Sequence, residues 1–190
     1  MRVLSKEEVH LKALQIRDEI LNGAVFIHPT DTIYGLGCDA TNDDAVKKIR
    51  ELKDRFKRPF SVIAPSLEWI EENCEITKEA DEWLDKLPGP YTLILKLKKK
   101  SAVSKDANMG METIGVRIPD HWISHVASAI GVPLITTSAN KTDEDYMTTI
   151  DDLNPEIKTK VDFIMYEGEK RGRPSKLVHL ENGKAKIKER

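Results

Sequence analysis

Residues 24–37 read AVFIHPTDTIYGLG, a short apolar run followed by a segment rich in threonine and glycine. The run 24–28 is brief, continuous and apolar, which predicts a buried strand. Residues 29–37 predict a loop, because proline and glycine interrupt regular structure there. Ligands in open α/β sheets bind beyond the carboxyl ends of strands, so the hydroxyls of Thr30 and Thr32 make this loop a candidate site.

Cap residues and apolar periodicity predict helices and strands along the rest of the chain. Helix starts are predicted at Ser5, at Asn42 or Asp43, at Ser66, at Thr77 and at Asp120. The first helix is expected over residues 6–22. Strands are predicted over residues 60–64, 91–97, 113–118, 133–137, 161–166, 176–180 and 185–188. Because some strands follow each other directly, the pattern favours a single α/β domain over residues 1–190, with a mixed parallel and antiparallel sheet flanked by helices.

The composition is that of a folded globular protein with a charged surface. Of the 190 residues, 39% are apolar and 33% are charged, and the net charge is −2. No apolar run approaches the roughly 20 residues that span a bilayer, so no membrane association is expected. The first ten residues lack the apolar core of an export signal, which predicts a cytoplasmic location. Cys38 and Cys74 lack metal-ligand spacing and are expected to be buried free thiols.

A second polar loop and a basic cluster accompany the first loop. Ser138 and Asn140 follow the predicted strand over residues 133–137, and Lys53 and Arg55 follow the second helix. Lysine and arginine side chains bind phosphate and carboxylate groups. Each feature alone is more typical of turn residues, helix caps or a solvated face. Their combination favours a cleft that binds phosphates.

Familiar catalytic motifs are absent from the sequence. No GxxxxGK[ST] phosphate loop, GxGxxG fingerprint, HExxH or GxSxG motif occurs. His121 and His125 have the spacing of two metal ligands on a helix, but nothing nearby supplies a third ligand. The sequence therefore predicts no metal site.

Seven segments, in order along the chain, resemble motifs of the YrdC-like family. The first runs from His28 to Gly37 and resembles PT[DE]TxYGLG. The others are Leu52-Lys-Asp-Arg55, Lys57-Arg-Pro-Phe-Ser61, Pro88-Gly-Pro-Tyr-Thr92, Thr113-Ile-Gly-Val-Arg-Ile-Pro-Asp120, Thr137-Ser-Ala-Asn140 and Arg173-Pro-Ser-Lys-Leu-Val178. One match alone would be weak, whereas seven in order exceed what chance produces.

The resemblance implies both a fold and a reaction. The fold would be a twisted α/β domain around a large, positively charged cavity, and the chain resembles the family's short, single-domain form. The activity would be that of a threonylcarbamoyl-AMP synthase, a nucleotidyltransferase that converts ATP, L-threonine and bicarbonate to threonylcarbamoyl-AMP and pyrophosphate. A separate threonylcarbamoyl transferase would then modify adenosine 37 of tRNA. Mg²⁺ would enter with ATP, and no protein-bound cofactor is expected.

The resemblance also assigns roles to individual residues of this sequence. The catalytic residues, which hold phosphate and carboxylate charge, would be Lys53 and Arg55. The threonine substrate would contact Thr32, Ser138 and Ser175. The nucleotide would contact Arg55, Arg58, Thr113, Arg117, Asn140 and Thr148. An acidic run over residues 141–145 replaces the glycine that often follows the family's SxN motif, so the loop over residues 141–147 is expected to differ in ordering or specificity.

Two other functions remain open on the sequence. A basic concave face could bind tRNA or double-stranded RNA through phosphate contacts without catalysis. The chain could also be an inactive member of the family, which the unusual loop after Asn140 would favour. Aromatic residues make up only 6% of the chain and are not interleaved with the basic ones, which favours a small-ligand pocket over a platform for single strands.

Overall fold

A ten-stranded mixed sheet runs through the part of the chain that the computed structural model describes, residues 1–181 and 184–189. Its strands are β1 (Arg2–Leu4), β2 (Phe26–His28), β3 (Gly35–Gly37), β4 (Ser61–Ile63), β5 (Tyr91–Lys96), β6 (Thr113–Arg117), β7 (Leu134–Ser138), β8 (Phe163–Met165), β9 (Lys176–Glu181) and β10 (Lys184–Lys188). The helices are α1 (Lys6–Leu11), α2 (Ala13–Leu21), α3 (Asp43–Lys53), α4 (Leu67–Asn73), α5 (Lys78–Leu84), α6 (Lys105–Asn108), α7 (Ile123–Ile130) and α8 (Pro155–Lys160), with a 3₁₀ turn at Lys100–Ala102.

The strands lie in the order β1-β8-β2-β3-β7-β4-β6-β5-β9-β10. The pairs β1/β8, β2/β8, β4/β6 and β5/β9 are parallel, and the other neighbours are antiparallel. The mixed α/β architecture predicted from the sequence is confirmed. In the middle of the sheet, Gly35 lies opposite Ser138, and Ser61 lies between Thr136 and Gly115. These small residues leave space above the sheet.

The two faces of the sheet are covered unequally. Side chains alternate between faces along a strand, so Ile135 and Val116 point to one side and Leu134, Thr136 and Ser138 to the other. The first side packs against α3, α4, α5 and α8 in the larger hydrophobic core. On the second side, α1, α2 and α7 pack over Leu134 in a smaller core. The part of this second face that lies beyond the smaller core carries hydroxyl side chains instead of apolar ones.

Helix caps predicted from the sequence are confirmed at four helices. Ser5 and Glu8 form the capping box of α1. The side chains of Asn42, Ser66 and Thr77 accept hydrogen bonds from the first turns of α3, α4 and α5. Each cap satisfies a backbone N–H that has no partner within its helix. Both cysteines are buried and free, as expected.

The helix predicted over residues 6–22 is in fact two helices. Lys12 lies between α1 and α2 with φ −104° and ψ 21°, which are not α-helical values. The break leaves Leu11 and Leu14 exposed, at 85% and 77%. The spacing of the apolar residues predicts a single buried face, but only Val9, Ile16 and Ile20 of that face are buried in the core.

Residues 35–37, predicted as a loop, form the central strand β3. Glycine is disfavoured in strands, but two aromatic rings of β2 occupy the space beside these glycines. A Cβ at Gly37 would lie 2.9 Å from the ring of His28 and 3.0 Å from that of Phe26. The strand therefore forms through tertiary packing, which its composition does not reveal.

The helix cap predicted at Asp120 is wrong. The backbone N–H of Asp120 donates to the carboxylate of Asp31 at 3.1 Å, and α7 begins only after Trp122. Trp122 is the residue before the first turn of α7, and it makes no side-chain cap hydrogen bond. The elements β1, α6 and α8 have three to six residues each, too few to give a periodic pattern in the sequence.

Ile49 of α3 is fully buried against the sheet, whereas Leu11 of α1 is largely exposed. We expect Ile49→Ala to lower the free energy of unfolding by about 2–5 kcal/mol, through lost burial and a cavity. The matched control Leu11→Ala should change it by less than about 0.5 kcal/mol. Urea unfolding followed by circular dichroism measures both values, and equal effects would contradict this assignment of the core.

Candidate functional site

A cavity of about 230 Å³ lies on the open part of the second face of the sheet. Its floor is formed by hydroxyl side chains from neighbouring strands, among them Ser61, Thr92 and Thr136. Gly115 makes room for two of them, because a Cβ there would lie 2.6 Å from Ser61 Oγ and 3.1 Å from the Thr92 methyl group. Neither Ser61 nor Thr92 was predicted as a site residue. Each is a single hydroxyl residue among apolar or aromatic neighbours in a predicted strand, Ser61 between Phe60 and Val62 and Thr92 between Tyr91 and Leu93, and that is the signal that could have found them.

Six of the ten predicted site residues line this cavity. They are Thr32, Arg55, Arg58, Arg117, Ser138 and Ser175. The structure thus brings together segments that are as far apart in sequence as residues 32 and 175. The other four predicted residues, Lys53, Thr113, Asn140 and Thr148, do not line the cavity, and their proposed contacts with substrates stay predictions.

Two of these four, Thr113 and Thr148, lie outside the lining of the cavity. Thr113 begins β6 and shares a face with Arg117, but four residues of extended chain, roughly 13 Å, separate them. The hydroxyl of Thr148 donates to the carboxylate of Asp152. The carbonyl of Thr148 accepts from Lys170 N–H at 3.0 Å, which ties its loop to a later segment.

The first polar loop is held by Thr30. Its hydroxyl donates to the carbonyl of Ile33 at 2.8 Å and accepts from the backbone N–H groups of Thr32 and Ile33. The Thr30 and Thr32 hydroxyls lie 2.9 Å apart, and either one could donate to the other. The Thr32 oxygen accepts from Arg117 Nη1 at 3.3 Å, and Thr32 lines the cavity.

Arg117 is a buried cation, 5% exposed, at the end of β6. Asp31 accepts from its Nη2, and this ion pair offsets part of the cost of burying the guanidinium. Burial lowers the pKa of Arg117, and Asp31 opposes that shift. The Nε of Arg117 is buried without a hydrogen-bond partner in the described residues. An unpaired buried donor beside a cavity is a group that a ligand oxygen can satisfy.

The turn that carries Arg55 begins where α3 ends. Asp54 adopts the left-handed conformation, with φ 51°, and so redirects the chain after Lys53. Nη2 of Arg55 donates to the carbonyl of Pro59 at 3.0 Å. Its Nε, like that of Arg117, is buried and lacks a partner among the described residues. Arg55 therefore adds to the lining of the cavity a second guanidinium with an unpaired N–H.

Arg50 of α3 supports this turn through hydrogen bonds to its backbone, a role that no motif in the sequence indicates. Its guanidinium is 5% exposed and donates to the carbonyls of Arg55 at 2.7 Å and Arg58 at 3.1 Å. It also donates to the carbonyls of Asp106 and Ala107, which both belong to α6. One side chain thus fixes both arginine-bearing positions relative to α6.

The second polar loop joins Ser138, Asn140 and Lys53. Ser138 Oγ donates to Asn140 Oδ1 at 2.6 Å, which leaves the lone pairs of the hydroxyl available to a ligand donor. Lys53 Nζ donates to the same Oδ1 at 2.9 Å. Burial lowers the pKa of Lys53 to about 7, and the neighbouring Arg55 acts in the same direction.

A segment over residues 167–175, here called the strap, closes one side of the cavity with Pro174 and Ser175. The Tyr34 hydroxyl donates to the carbonyl of Gly168 at 2.7 Å, and burial raises the pKa of Tyr34 to about 12, which keeps this donor protonated. Further along, the Tyr146 hydroxyl donates to the carbonyl of Gly172 at 3.1 Å. The strap is therefore attached to both polar loops.

The start of the strap is also fixed by Glu167. Its carboxylate accepts from Trp122 Nε1 at 2.6 Å, pairs with Lys170 at 2.6 Å and contacts His121 Nε2 at 2.9 Å. His121 therefore makes a structural contact in this fold. Within residues 1–181 and 184–189, no group of three or more histidine, cysteine or acidic side chains has the geometry to hold a metal ion. No helix in those residues is long and apolar enough to cross a membrane.

A mixed sheet with a small polar cavity on its half-covered face defines the class of α/β protein to which this chain belongs. The sequence profile of the Sua5, YciO and YrdC proteins, described as "Telomere recombination", matches residues 18–190. The chain is a member of the Sua5/YciO/YrdC family.

Individual relatives agree with this membership. A Methanocaldococcus jannaschii protein named "Putative threonylcarbamoyl-AMP synthase" is 39% identical over 184 residues, which cover 94% of this chain and 85% of that protein. The structure of P. abyssi Sua5 complexed with L-threonine matches with a TM-score of 0.86 and 28% identity, over 98% of this chain and 56% of the other. The chain thus spans little more than half of that protein. E. coli YciO has the same fold, with a TM-score of 0.85 at 21% identity over 99% of this chain and 93% of its own.

Removal of the Arg50 guanidinium should loosen the turn beneath the cavity. We expect Arg50→Met to lower the free energy of unfolding by about 2–4 kcal/mol, because buried carbonyls lose a charged donor. The control Lys47→Met, on the exposed side of the same helix, should change it by less than about 0.5 kcal/mol. Urea denaturation tests both, and a small effect at position 50 would show that the carbonyls find other donors.

Gly172 should be required for the closed position of the strap. A Cβ at this position would lie 1.9 Å from the carbonyl oxygen of Thr32, so Gly172→Ala must displace the strap. We expect faster hydrogen exchange at the amide of Lys170, whose bond to Thr148 depends on that position. The neighbouring change Arg171→Ala removes only a surface ion pair and serves as the control. Unchanged exchange in Gly172→Ala would contradict the steric argument.

Proposed function

We propose that this chain is a threonylcarbamoyl-AMP synthase, which forms threonylcarbamoyl-AMP and pyrophosphate from L-threonine, bicarbonate and ATP. The proposal agrees with the names of the M. jannaschii relative and of the P. abyssi Sua5–threonine complex. The cavity in this chain supports it independently, through the hydrogen-bonding groups that the cavity offers.

The observation that carries the proposal is the match between the cavity and a free amino acid. Arg55 and Arg117 each have an unsatisfied buried N–H, the kind of donor that a carboxylate accepts. Ser138 has donated its proton to Asn140 and lines the cavity as an acceptor, which suits an ammonium or amine group, and Thr32 adds a second hydroxyl oxygen to the lining. A zwitterionic amino acid would satisfy both sets.

The size of the cavity is consistent with a small amino acid. Pockets for drug-sized ligands have volumes of about 300–1,000 Å³, whereas this cavity has about 230 Å³. The hydroxyls of Ser61, Thr92 and Ser175 line it as well and could bind the polar side chain of threonine. A nucleotide would need additional space, which we place on the side of Arg55 and the exposed Arg58.

The reaction itself needs no protein nucleophile. The threonine amine attacks the bicarbonate carbon to form a carbamate with loss of water, and a carbamate oxygen then attacks the α-phosphorus of ATP, with pyrophosphate as the leaving group. Thr32 and Ser138 would orient the amine for the first step. Arg55 and Arg58 would stabilise the charge that develops on the phosphates in the second. Mg²⁺ would enter as part of the ATP substrate.

The wider role follows from the product. A mixed anhydride of a carbamate and AMP is reactive, so a transferase must consume it promptly. We infer that a tRNA-modifying threonylcarbamoyl transferase is this partner and that the chain acts in the cytoplasm.

The proposal is tested by incubating the protein with ATP, Mg²⁺, bicarbonate and L-threonine and following pyrophosphate release. Release should require both threonine and bicarbonate and should fall when serine or valine replaces threonine. No release, with threonine and ATP still bound, would establish an inactive family member. Binding of tRNA or double-stranded RNA without threonine binding, and with a steep salt dependence, would establish the RNA-binding alternative instead.

Arg55→Ala should lower kcat/KM for pyrophosphate release by about 100-fold or more, since one preorganised donor to developing charge contributes roughly 3 kcal/mol. Arg17→Ala removes the same charge from α2, away from the cavity, and should leave kcat/KM unchanged. Normal turnover by Arg55→Ala, with its melting temperature unchanged, would remove Arg55 from the mechanism.

A further inference from the structure

Lys53 is almost completely buried, at 1% exposed, and all of its donors are used within the protein. Its Nζ lies 2.6 Å from the carbonyl of Ser138, 2.6 Å from the carbonyl of Asn140 and 2.9 Å from Asn140 Oδ1. A lysine ammonium has three N–H donors. Direct contact with a phosphate would therefore require Lys53 to give up at least one of these bonds.

The backbone of Lys53 holds the same loop from a second point. Its carbonyl oxygen accepts from Thr142 N–H at 3.0 Å and from Thr142 Oγ1 at 2.7 Å. Lys53 thus contacts the loop at residues 138, 140 and 142, through its side chain and through its main chain. We call these contacts of Lys53 with residues 138, 140 and 142 the clamp. The clamp explains how the loop after Asn140 has a defined conformation without the glycine that the family often has there.

The clamp also fixes the direction of one hydrogen bond in the cavity. As an ammonium, Lys53 can only donate, so the atom of Asn140 that faces it is the amide oxygen. The amide nitrogen is then free to donate to the carbonyl of Glu144, at 2.6 Å. Because Ser138 Oγ lies 2.6 Å from that same amide oxygen, Ser138 must donate its proton there. Its lone pairs remain for the cavity.

We propose that Lys53 is a positioning residue that acts through Asn140 and makes the Ser138 hydroxyl a hydrogen-bond acceptor for the amino group of the substrate. This inference rests on the proposed function, because it takes the ligand of the cavity to be an amino acid. It replaces the phosphate contact that the sequence predicted for Lys53. Arg55 and Arg58, which line the cavity, take over that contact.

The test is a double-mutant cycle on ligand affinity, measured by titration calorimetry with L-threonine and, separately, with Mg²⁺–ATP. Lys53→Met should weaken threonine binding by about 10-fold or more, and ATP binding by less than about 3-fold. In a Ser138→Ala background, where the acceptor is already gone, Lys53→Met should weaken threonine binding by less than about 3-fold further.

Two results would overturn the proposal. A large loss of ATP affinity with threonine affinity retained would show that Lys53 contacts phosphate directly. Effects of Lys53→Met and Ser138→Ala that multiply in the double variant would show that the two residues act independently. If the wild-type protein does not bind threonine, the proposed function fails, and the positioning role fails with it. The wild-type titration therefore separates this failure from that of Lys53 alone.

Loss of a buried cation could also unfold the protein, so two further variants complete the experiment. Lys47→Met, exposed on the same helix, should retain wild-type affinities and melting temperature. Asn140→Leu keeps Lys53 but removes the shared acceptor, so the Ser138 proton is no longer directed away from the cavity. It should lower threonine affinity by about 10-fold. Wild-type threonine affinity in Asn140→Leu would refute the proposal even if Lys53→Met does not fold.

Discussion

The guanidinium of Arg50 donates to four backbone carbonyls around the end of α3 and lies over the ring of Phe60 at 4.4 Å. A turn that presents two arginines to one cavity is opposed by like-charge repulsion and by the loss of chain entropy. The hydrogen bonds from the buried Arg50 guanidinium to the carbonyls of the turn offset this repulsion and this entropy loss, because a hydrogen bond from a charged donor is stronger than one between neutral groups. The position of Arg55, and with it one side of the cavity, depends on this contact.

Lys53 lies three residues after Arg50 and therefore on the same side of α3. The two cations bind different segments. Arg50 donates to the turn that follows the helix, and Lys53 donates to the loop after β7. Asp54, in the left-handed conformation, separates these inward-facing cations from Arg55 and Arg58 beyond it. The basic residues at and after the end of α3 thus form two pairs with different surroundings, and of these four only Arg55 and Arg58 line the cavity.

The mixed sheet and the convergence of the two polar loops could be predicted from the sequence, for a physical reason. Thr32 follows β2 and Ser138 ends β7, and the carboxyl ends of strands that run in the same direction lie at one edge of their sheet. β2 and β7 run in the same direction, because each is antiparallel to β3. The structure confirms the mixed sheet and brings both residues to one cavity. The pairing of β3 could not be predicted, because the rings of β2 that occupy the space beside its glycines belong to another strand. The partners of Lys53 are likewise mostly backbone carbonyls from a distant loop, which no spacing rule encodes.

The half-covered sheet explains why these contacts converge on a cavity at all. Along β7 a single face passes from Leu134, beneath the smaller core, to Thr136 and Ser138 under the cavity. A third layer of helices over that end would exclude ligand, whereas no cover at all would expose the hydroxyls to bulk water. The strap, bound by Tyr34 and Tyr146, supplies partial cover without a core of its own. Its cover depends on these hydrogen bonds, on the contacts of Glu167 with Lys170 and Trp122, and on one close approach at Gly172, so the site is enclosed by polar contacts and not by a further hydrophobic layer.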